Sequence, residues 1–371
     1  MPVCAAFLKK LAVLTGISVF IFSLGAHTVL AEKMCGRKNA MKKWIGTGLW
    51  ICLLLPLLSV SAYAQELIVG GQAVGIQIST EGVLVAGINE VETASGARSP
   101  AAEAGLKEGD LITGADGAPL MDAAALMDAI ASAGEESVTL SVRRGEQELE
   151  LPVTPALSVE GRPMLGILLR DGLSGIGTLT FCDPASGRFG ALGHAISDAG
   201  TGLRVPVREG SITDAQIVSV KPGAAGAPGE LNGLSDMGAV LGQIDCNTGD
   251  GIFGFLMQEL DGRRLETGSI TAGPASIVST VEGSEQREYA VEVNRVYRDE
   301  EGVHAMLSVT DAELLGRTGG IVQGMSGSPI IQNGKLVGAV THVFVSNPAR
   351  GYAVGIQDML ESAGLAAEKA A

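Results

Sequence analysis

The sequence predicts a mostly β protein with two folded units behind a hydrophobic N-terminal region. Glycine is abundant, at 52 of 371 residues, while Phe, Tyr and Trp number only 8, 4 and 2, a balance typical of turn-rich β structure. In residues 156–371, short apolar runs alternate with turn signals about every eight to twelve residues, which favours a sandwich or barrel. In residues 67–155, alternating apolar and polar runs flank one strong helix pattern. The length allows two or three domains with sizeable cores.

The charge balance excludes one large class of function. The formal net charge is -15 at pH 7, and seven of the 26 Lys and Arg residues precede residue 65, so the rest of the chain is more acidic still. A nucleic-acid-binding protein needs a basic face that neutralises phosphates. We therefore expect no nucleic-acid partner, and no adhesion of the folded body to anionic lipid.

Residues 1–65 are predicted to be a targeting or anchor region. Apolar stretches occupy residues 11–30 and 44–64, and the second is close to the roughly 20 residues that span a bilayer. It follows two lysines and ends in Ala62-Tyr63-Ala64, which is similar to a signal-peptidase site. A cleaved signal peptide and a retained membrane anchor both stay open here. Either one places the rest of the chain on the extracytoplasmic side of the membrane.

The first apolar stretch indicates that translation begins later than residue 1. If both stretches crossed the membrane, the basic linker at residues 32–43 would lie outside, against the positive-inside rule. We therefore expect the true start at Met34 or Met41.

The cysteines of the folded body are Cys182 and Cys246. They can form one disulfide or remain two unpaired small core residues, and the sequence leaves both options open. Because CxxC and HxxxH spacings are absent, we expect no metal site. We also expect no organic cofactor.

Residues 67–155 resemble a PDZ domain. A helix is predicted from Asp122, as N-cap, to Gly134, as stop, and a hairpin follows at residues 137–153. Residues 99–112 resemble the signature "SPA..AGL..GD.I" of the PDZ domains attached to bacterial proteases. Such a domain binds an extended peptide as an added strand and holds its C-terminal carboxylate with backbone N–H groups. The resemblance implies a carboxylate loop at Val74, Gly75 and Ile76, and a groove lined by Leu126 and Met127.

A candidate nucleophile lies at Ser326, in the run GGIVQGMSGSPI. Glycines 324 and 327 permit a tight turn that exposes the hydroxyl and leaves room for a bound carbonyl. A lone GxSG would favour an ordinary Gly-rich hairpin. The longer match, followed by "GKLVGAVTHVF", resembles chymotrypsin-like serine proteases, and the N–H groups of Gly324 and Ser326 are then expected to hold the oxyanion.

The general base must come from three histidines in the body. His194 follows a predicted strand and can face a cleft, whereas His304 lies inside a predicted strand and is expected to be structural. His342 follows the serine hairpin and can line the cleft, but it lies in a strand that substrate pairing needs. A carboxylate usually orients such a base. Asp311 and Asp198 are both candidates, and Asp198 is more simply explained as a turn cap.

Three segments, "GALGHAISD", "TDAELLGRTGGIVQGMSGSPIIQNGK" and "GAVTHVFV", resemble the stage IV sporulation protein B peptidase family. The resemblance covers the whole body. It implies a PDZ domain at 67–155 and a chymotrypsin-like double β-barrel at 156–371. It also implies Ser326 as nucleophile, His194 as general base and Asp311 as orienting acid.

The same resemblance implies a serine endopeptidase in a sporulation signalling pathway. Such an enzyme is exported to the space between the forespore and mother-cell membranes and cleaves a membrane-bound regulator there. This cleavage leads to activation of a late sigma factor, and the enzyme is expected to cut itself near its N-terminus. Two other functions stay open from the residues alone. They are a noncatalytic PDZ scaffold or chaperone, and a broad extracytoplasmic quality-control protease.

Overall fold

The computed structural model describes residues 65–198, 200 and 202–366. The expectations for residues 1–64, namely the signal or anchor segment and the late start, lie outside these residues. Within the described part, no helix has the length and apolar character needed to cross a membrane. Four helices occur there: α1 Pro100–Glu103, α2 Ala123–Ala133, α3 Ala312–Thr318 and α4 Ile356–Ser362.

Most of the ordered elements are strands, as predicted. The strands up to residue 182 are β1 Glu66–Val69, β2 Ala73–Ile88, β3 Val91–Thr93, β4 Gly96–Arg98, β5 Leu111–Ala115, β6 Ala118–Pro119, β7 Val138–Arg144, β8 Gln147–Val153, β9 Ala156–Leu157, β10 Pro163–Met164 and β11 Ile167–Cys182. Those that follow are β12 Arg188–Ala191, β13 Glu209–Lys221, β14 Glu230–Thr248, β15 Gly251–Leu256, β16 Arg264–Glu266, β17 Gly273–Thr280, β18 Gln286–Asp299, β19 Gly302–Val309, β20 Pro329–Gln332, β21 Lys335–Val343 and β22 Arg350–Gly355.

Two rings of antiparallel strands form the larger unit. In the first ring the pairing runs from β11 through β12, β15, β14 and β13 to β2, and β2 pairs again with β11. The second ring is a closed barrel with the strand order β17-β18-β19-β22-β21-β20. Phe181 and Phe253 of the first ring belong to one buried cluster with Leu336 of β21 and Met359 of α4. This shared cluster buries apolar surface of both rings, so they pack directly against each other.

The PDZ unit has its own sheet and core. Strands β2, β5, β7 and β8 lie side by side, and the start of β11 pairs on the outer side of β2. The predicted helix and hairpin are both confirmed. The Asp122 carboxylate accepts a hydrogen bond from the N–H of Ala125 at 2.8 Å, and Gly134 ends the helix with φ of 63°. Leu126 and Ile130 of α2 are buried in this core.

The long strands β2 and β11 belong to both units. Residues 73–79 of β2 pair with residues 172–178 of β11 inside the first ring, while residues 84–88 pair with residues 167–170 in the PDZ sheet. The PDZ unit is therefore inserted between two strands of the ring. The predicted domain boundaries at 67 and 155 need correction for this reason, because β1 and the first half of β2 pair with strands of the larger unit.

Candidate active site

Ser326 lies in a turn between α3 and β20, and contacts with β11 fix the backbone of this turn. The N–H of Thr178 donates to the Ser326 carbonyl at 3.0 Å, and the Thr178 hydroxyl donates to the Gly324 carbonyl at 2.8 Å. The Thr180 hydroxyl donates to the Gly327 carbonyl, also at 2.8 Å. The serine turn of the second ring is thus held by a strand of the first.

Gly327 is required because the two rings approach closely at this turn. Its φ is 94°, and a Cβ atom there would lie 2.1 Å from the Thr178 carbonyl oxygen and 2.5 Å from the Leu192 nitrogen. No side chain fits this position unless β11 moves. The sequence analysis explained Gly327 by the space that a bound carbonyl needs. The structure adds a second reason, the close approach of β11 and Leu192.

The turn contains two backbone N–H groups without a partner. The N–H groups of Met325 and Gly327 donate to nearby carbonyls, whereas those of Gly324 and Ser326 have no acceptor among the described residues. Free donors beside a nucleophile are what stabilisation of an oxyanion requires. The two N–H groups predicted for that role are therefore available for it.

His194 follows β12, as predicted, and its protonation pattern is set by its neighbours. Its Nδ1 atom lies 2.8 Å from the Ala195 carbonyl oxygen. Because a carbonyl can only accept, Nδ1 carries the hydrogen and Nε2 is left as an acceptor. Burial, followed by the charge of His342, lowers the pKa of His194 to about 4. The imidazole is therefore neutral at pH 7 and has the state that a general base needs.

Ser326 and His194 line the same cleft, which has a volume of about 510 Å³. They are not hydrogen-bonded to each other, because the Ser326 hydroxyl donates to the Thr341 carbonyl at 2.6 Å. Catalytic hydrogen bonds often form only when substrate binds.

Asp311 lies elsewhere and caps α3. Its Oδ1 atom accepts from the N–H of Leu314 at 3.0 Å, and Oδ2 accepts from the N–H of Ala290 at 3.4 Å. Asp311 does not line the cleft, and no hydrogen bond joins it to His194. The structure thus corrects the role that the resemblance implied for Asp311, because this carboxylate caps α3 outside the cleft and His194 Nδ1 is bonded to the Ala195 carbonyl instead.

The loop that carries His194 is held by two polar side chains. The buried Asp198 accepts from Arg170 of β11 at 2.5 Å and from the N–H of Gly200 at 3.1 Å, which confirms its expected role as a turn cap. The Asn247 side chain makes two hydrogen bonds with the backbone of Ile196, at 2.9 and 2.8 Å. The sequence interpretation missed Arg170 and Asn247, since both partners are distant in the chain.

The two remaining histidines differ in their surroundings. The His304 Nε2 atom lies 3.2 Å from an Asp299 carboxylate oxygen, and this histidine sits within β19 as expected of a structural residue. His342 lines the cleft at the end of β21, and its ring centroid lies 4.4 Å from that of His194. In the sequence, only the position of His342 directly after the serine hairpin indicated that it lies near the cleft.

The predicted carboxylate loop of the PDZ domain is wrong. Val74, Gly75 and Ile76 lie near the start of β2, where they pair with β11 on one side and β13 on the other. A strand with both edges occupied cannot accept an added peptide. Leu126 is also fully buried in the domain core, so of the residues predicted to line the groove only Met127, which is 61% exposed, can contact a ligand.

The start of β11 provides the edge that a peptide needs. Within the described part of the chain, residues 167–170 pair with β2 alone, and Asp171 accepts from the N–H of Ala123 at the start of α2 at 2.9 Å. The N–H groups of Leu165 and Gly166, just before this strand, have no acceptor in the described part of the chain. Exposed apolar side chains surround this edge: Met127 of α2, Met164 of β10 and Leu168 of β11. This arrangement fits strand addition with capture of a carboxylate.

Both body cysteines are free thiols, so of the two open options the structure has the unpaired one. Cys182 is buried, and this burial raises the pKa of its thiol to about 11. Among residues 65–198, 200 and 202–366, no group of three His, Cys, Asp or Glu side chains is placed to hold a metal ion.

Two family models match the sequence. The SpoIVB peptidase S55 model matches residues 161–360, which is more than half of the chain, and a PDZ domain model matches residues 93–144. These matches confirm the resemblance given above. No match is found among curated proteins.

Solved structures that match part of the chain include a PDZ domain and a protease. The PDZ domain of the SdrC-like protein from Listeria monocytogenes has 27% identity over 25% of this chain and 93% of its own, with a TM-score of 0.21. The active form of the Rv3671c protease from M. tuberculosis has 14% identity over 54% of this chain and 78% of its own, with a TM-score of 0.30. Its inactive form has 13% identity over 52% and 83%, also with a TM-score of 0.30.

Proposed function

We infer the catalytic roles from one premise: the chain belongs to the SpoIVB peptidase S55 family and is therefore a serine peptidase that carries a PDZ domain. We propose that Ser326 is the nucleophile, that His194 is the general base, and that the N–H groups of Gly324 and Ser326 form the oxyanion site. The observation that carries this proposal is that Ser326 and the neutral His194 line the same cleft.

The proposed reaction is acyl transfer from a peptide to Ser326 and then to water. The Ser326 oxygen attacks the peptide carbonyl carbon while Nε2 of His194 takes the hydroxyl proton. The carbonyl oxygen becomes an oxyanion and is held by the two free N–H groups. His194 then gives its proton to the leaving amine, and water hydrolyses the acyl-enzyme by the same steps in reverse. The Ala195 carbonyl keeps Nε2 free to accept throughout the first step.

A fluorophosphonate probe tests these roles, because it reacts only with an activated serine. We expect one label per chain, mapped to Ser326 by mass spectrometry. Labelling should vanish in Ser326→Ala and slow by about a thousandfold or more in His194→Ala. Ser346→Ala, which removes an exposed serine outside the cleft, is the matched control and should label like the wild type. A folded wild-type protein that never labels would favour the noncatalytic scaffold.

We propose that the free edge of β11 recruits the protein substrate and sets the activity of the cleft. One strand joins the two places: residues 167–170 form the PDZ edge, Arg170 binds Asp198 of the His194 loop, and Thr178 binds the Ser326 turn. A peptide that pairs with this edge therefore acts on a strand in contact with both catalytic loops.

Charge placed in the groove tests the recruiting role. Met127→Glu and Leu168→Glu should weaken binding of peptides with an apolar C-terminus by about tenfold or more, because the added carboxylate repels the peptide carboxylate and must be desolvated. Cleavage of a full protein substrate should fall in parallel, while a short peptide that enters the cleft directly should be cleaved as before. Val159→Glu, at a valine that is 70% exposed and outside the groove, is the control. Full cleavage of the protein substrate by both groove variants would make this domain a spacer.

We further propose the biological role that the family implies. The substrate is a membrane-bound regulator of sporulation, met on the extracytoplasmic side between the forespore and mother-cell membranes, and its cleavage leads to activation of a late sigma factor. The enzyme also cuts itself near its N-terminus. N-terminal sequencing of the mature wild-type protein and of Ser326→Ala separates signal cleavage, which persists in the variant, from self-cleavage, which does not.

We also propose that the two six-stranded rings correspond to the double β-barrel of chymotrypsin-like enzymes. Each ring supplies one catalytic residue, since His194 follows β12 of the first and Ser326 precedes β20 of the second.

A further inference from the structure

The cleft around Ser326 is lined by uncharged side chains. Among the described residues, its lining contains no Asp, Glu, Lys or Arg, and its two ionisable groups are His194 and His342, whose pKa values are both lowered by burial. Most of the other lining side chains are aliphatic, and those nearest the Ser326 turn in the sequence include Ile321, Val322, Val343 and Val345. A charged side chain that enters this cleft loses water and finds no opposite charge.

Two segments flank the nucleophile within this cleft. Residues 321–324 lead into the Ser326 turn, and Ile321 and Val322 are only 2% and 1% exposed, so their positions are fixed by packing. The end of β21 forms the other flank, because the Thr341 carbonyl accepts from the Ser326 hydroxyl at 2.6 Å. Val343 follows on this flank and is half-buried, whereas Val345 is 51% exposed at the rim.

We propose that the enzyme cleaves after an uncharged aliphatic residue, and that this P1 side chain is received between residues 323–324 and Val343. The proposal rests on Ser326 being the nucleophile. When the carbonyl oxygen of the scissile bond sits at the free N–H groups of Gly324 and Ser326, the attached side chain lies along the segments that flank this turn. Val343 offers half-buried aliphatic surface there, and burial of an aliphatic side chain against it favours binding.

A set of peptides that differ only at P1 tests the proposal on the wild-type enzyme. We expect kcat/KM for Val, Leu or Ile at P1 to exceed that for Asp, Glu, Lys or Arg by about a hundredfold or more, because the charged side chains must be desolvated. A flat profile, or a preference for a charged P1 residue, overturns the proposal. The same peptides as phosphonate inhibitors give a second readout, the rate at which each labels Ser326.

A charge placed on the flank tests the location of the P1 site. Val343→Glu should raise kcat/KM for a Lys peptide relative to the matched Leu peptide by about tenfold or more, because the carboxylate pairs with the P1 ammonium. Val218→Glu, at a valine that is 57% exposed and outside the cleft, should keep the wild-type ratio. An unchanged ratio in folded Val343→Glu places the P1 side chain elsewhere and overturns that part of the proposal.

Failure of this inference differs from failure of the catalytic assignment. If a fluorophosphonate labels Ser326 while the P1 profile is flat, the nucleophile stands and the substrate class is wrong. If neither the fluorophosphonate nor any peptide phosphonate labels Ser326, the catalytic assignment fails and this inference fails with it.

Discussion

Replacement of Asp311 distinguishes a helix cap from a catalytic acid. The structure gives its carboxylate two backbone donors, the N–H groups of Leu314 at 3.0 Å and Ala290 at 3.4 Å. Asn keeps an acceptor oxygen at the N-cap and is about as good a cap as Asp. Asp311→Asn should therefore lower the free energy of unfolding by only about a few tenths of a kcal/mol. Ala offers no acceptor, and Asp311→Ala should lower the free energy of unfolding by about 1 kcal/mol or slightly more, since Leu314 is fully buried.

In the Asp311 variants, we expect enzymatic activity to fall only where stability falls. If Asp311 only caps α3, Asp311→Asn keeps kcat/KM within about tenfold of the wild type, because His194 and the cleft are untouched. An acid that orients the base loses on the order of 10⁴ in kcat when it is changed to Asn. The two accounts therefore differ by about a thousandfold in one variant.

The assay combines urea unfolding with peptide hydrolysis on the same preparations. Asp122, which caps α2 with its carboxylate 2.8 Å from the N–H of Ala125, is the matched control. Asp122→Ala should lose about 1 kcal/mol of stability, like Asp311→Ala, and should keep peptide hydrolysis. A folded Asp311→Asn variant with wild-type stability and a thousandfold lower kcat would refute the capping explanation.

Two further predictions concern pH and the ion pair on β11. The pKa of His194 is about 4 in the folded protein and about 6.5 in the unfolded chain. The unfolded state therefore binds more protons between these two pH values. As a result, the free energy of unfolding should fall by up to about 3 kcal/mol as the pH drops from 6.5 to 4. Urea unfolding across this range checks this. The decrease should be smaller in His194→Gln than in the wild type, and the remainder should include His342, whose pKa is also lowered by burial. An unchanged decrease in His194→Gln would contradict the reasoning. Arg170→Met removes an ion-pair partner of Asp198, whose side chain is 0% exposed. This change should lower the free energy of unfolding by about 2–3 kcal/mol. The loss is smaller than for a fully buried ion pair because the Arg170 side chain is 40% exposed. Arg162→Met, which breaks an exposed pair, should change thermal stability by less than about 0.5 kcal/mol, and equal losses in both variants would contradict the reasoning.

Local sequence signals predicted the helix, the hairpin and the serine turn correctly. Asp122 and Gly134 bound α2 because a cap and a left-handed stop act within one helical turn. The run around Ser326 is similarly self-contained, since its geometry depends on nearby glycines and on the hairpin that follows.

The pairing of the shared strands β2 and β11 could not be predicted from the local sequence. The residues from Val74 to Ile76 have the pattern of an ordinary alternating strand, and nothing nearby in the chain shows that residues 175–177 and 212–214 pair on its two sides. Pairing across such distances in sequence is decided by the whole fold. The peptide edge was misplaced for this reason.

The role of Asp311 was ambiguous for a different reason. An Asp between a strand and a helix serves equally well as a cap or as a side chain that reaches across a cleft. Only the positions of Leu314 and Ala290, which occupy both of its oxygens, distinguish the two. The contact between His194 and His342 likewise depends on how the two rings pack.

Trapping of an acyl-enzyme tests the central claim most directly. A p-nitrophenyl ester of a short peptide with Leu at its C-terminus is mixed with the enzyme and quenched within milliseconds, and the protein is analysed by mass spectrometry. The account predicts a burst of about one p-nitrophenol per chain and an acyl group on Ser326, with no adduct in Ser326→Ala. An adduct on another residue, or ester and peptide hydrolysis that persists in folded Ser326→Ala, would contradict it.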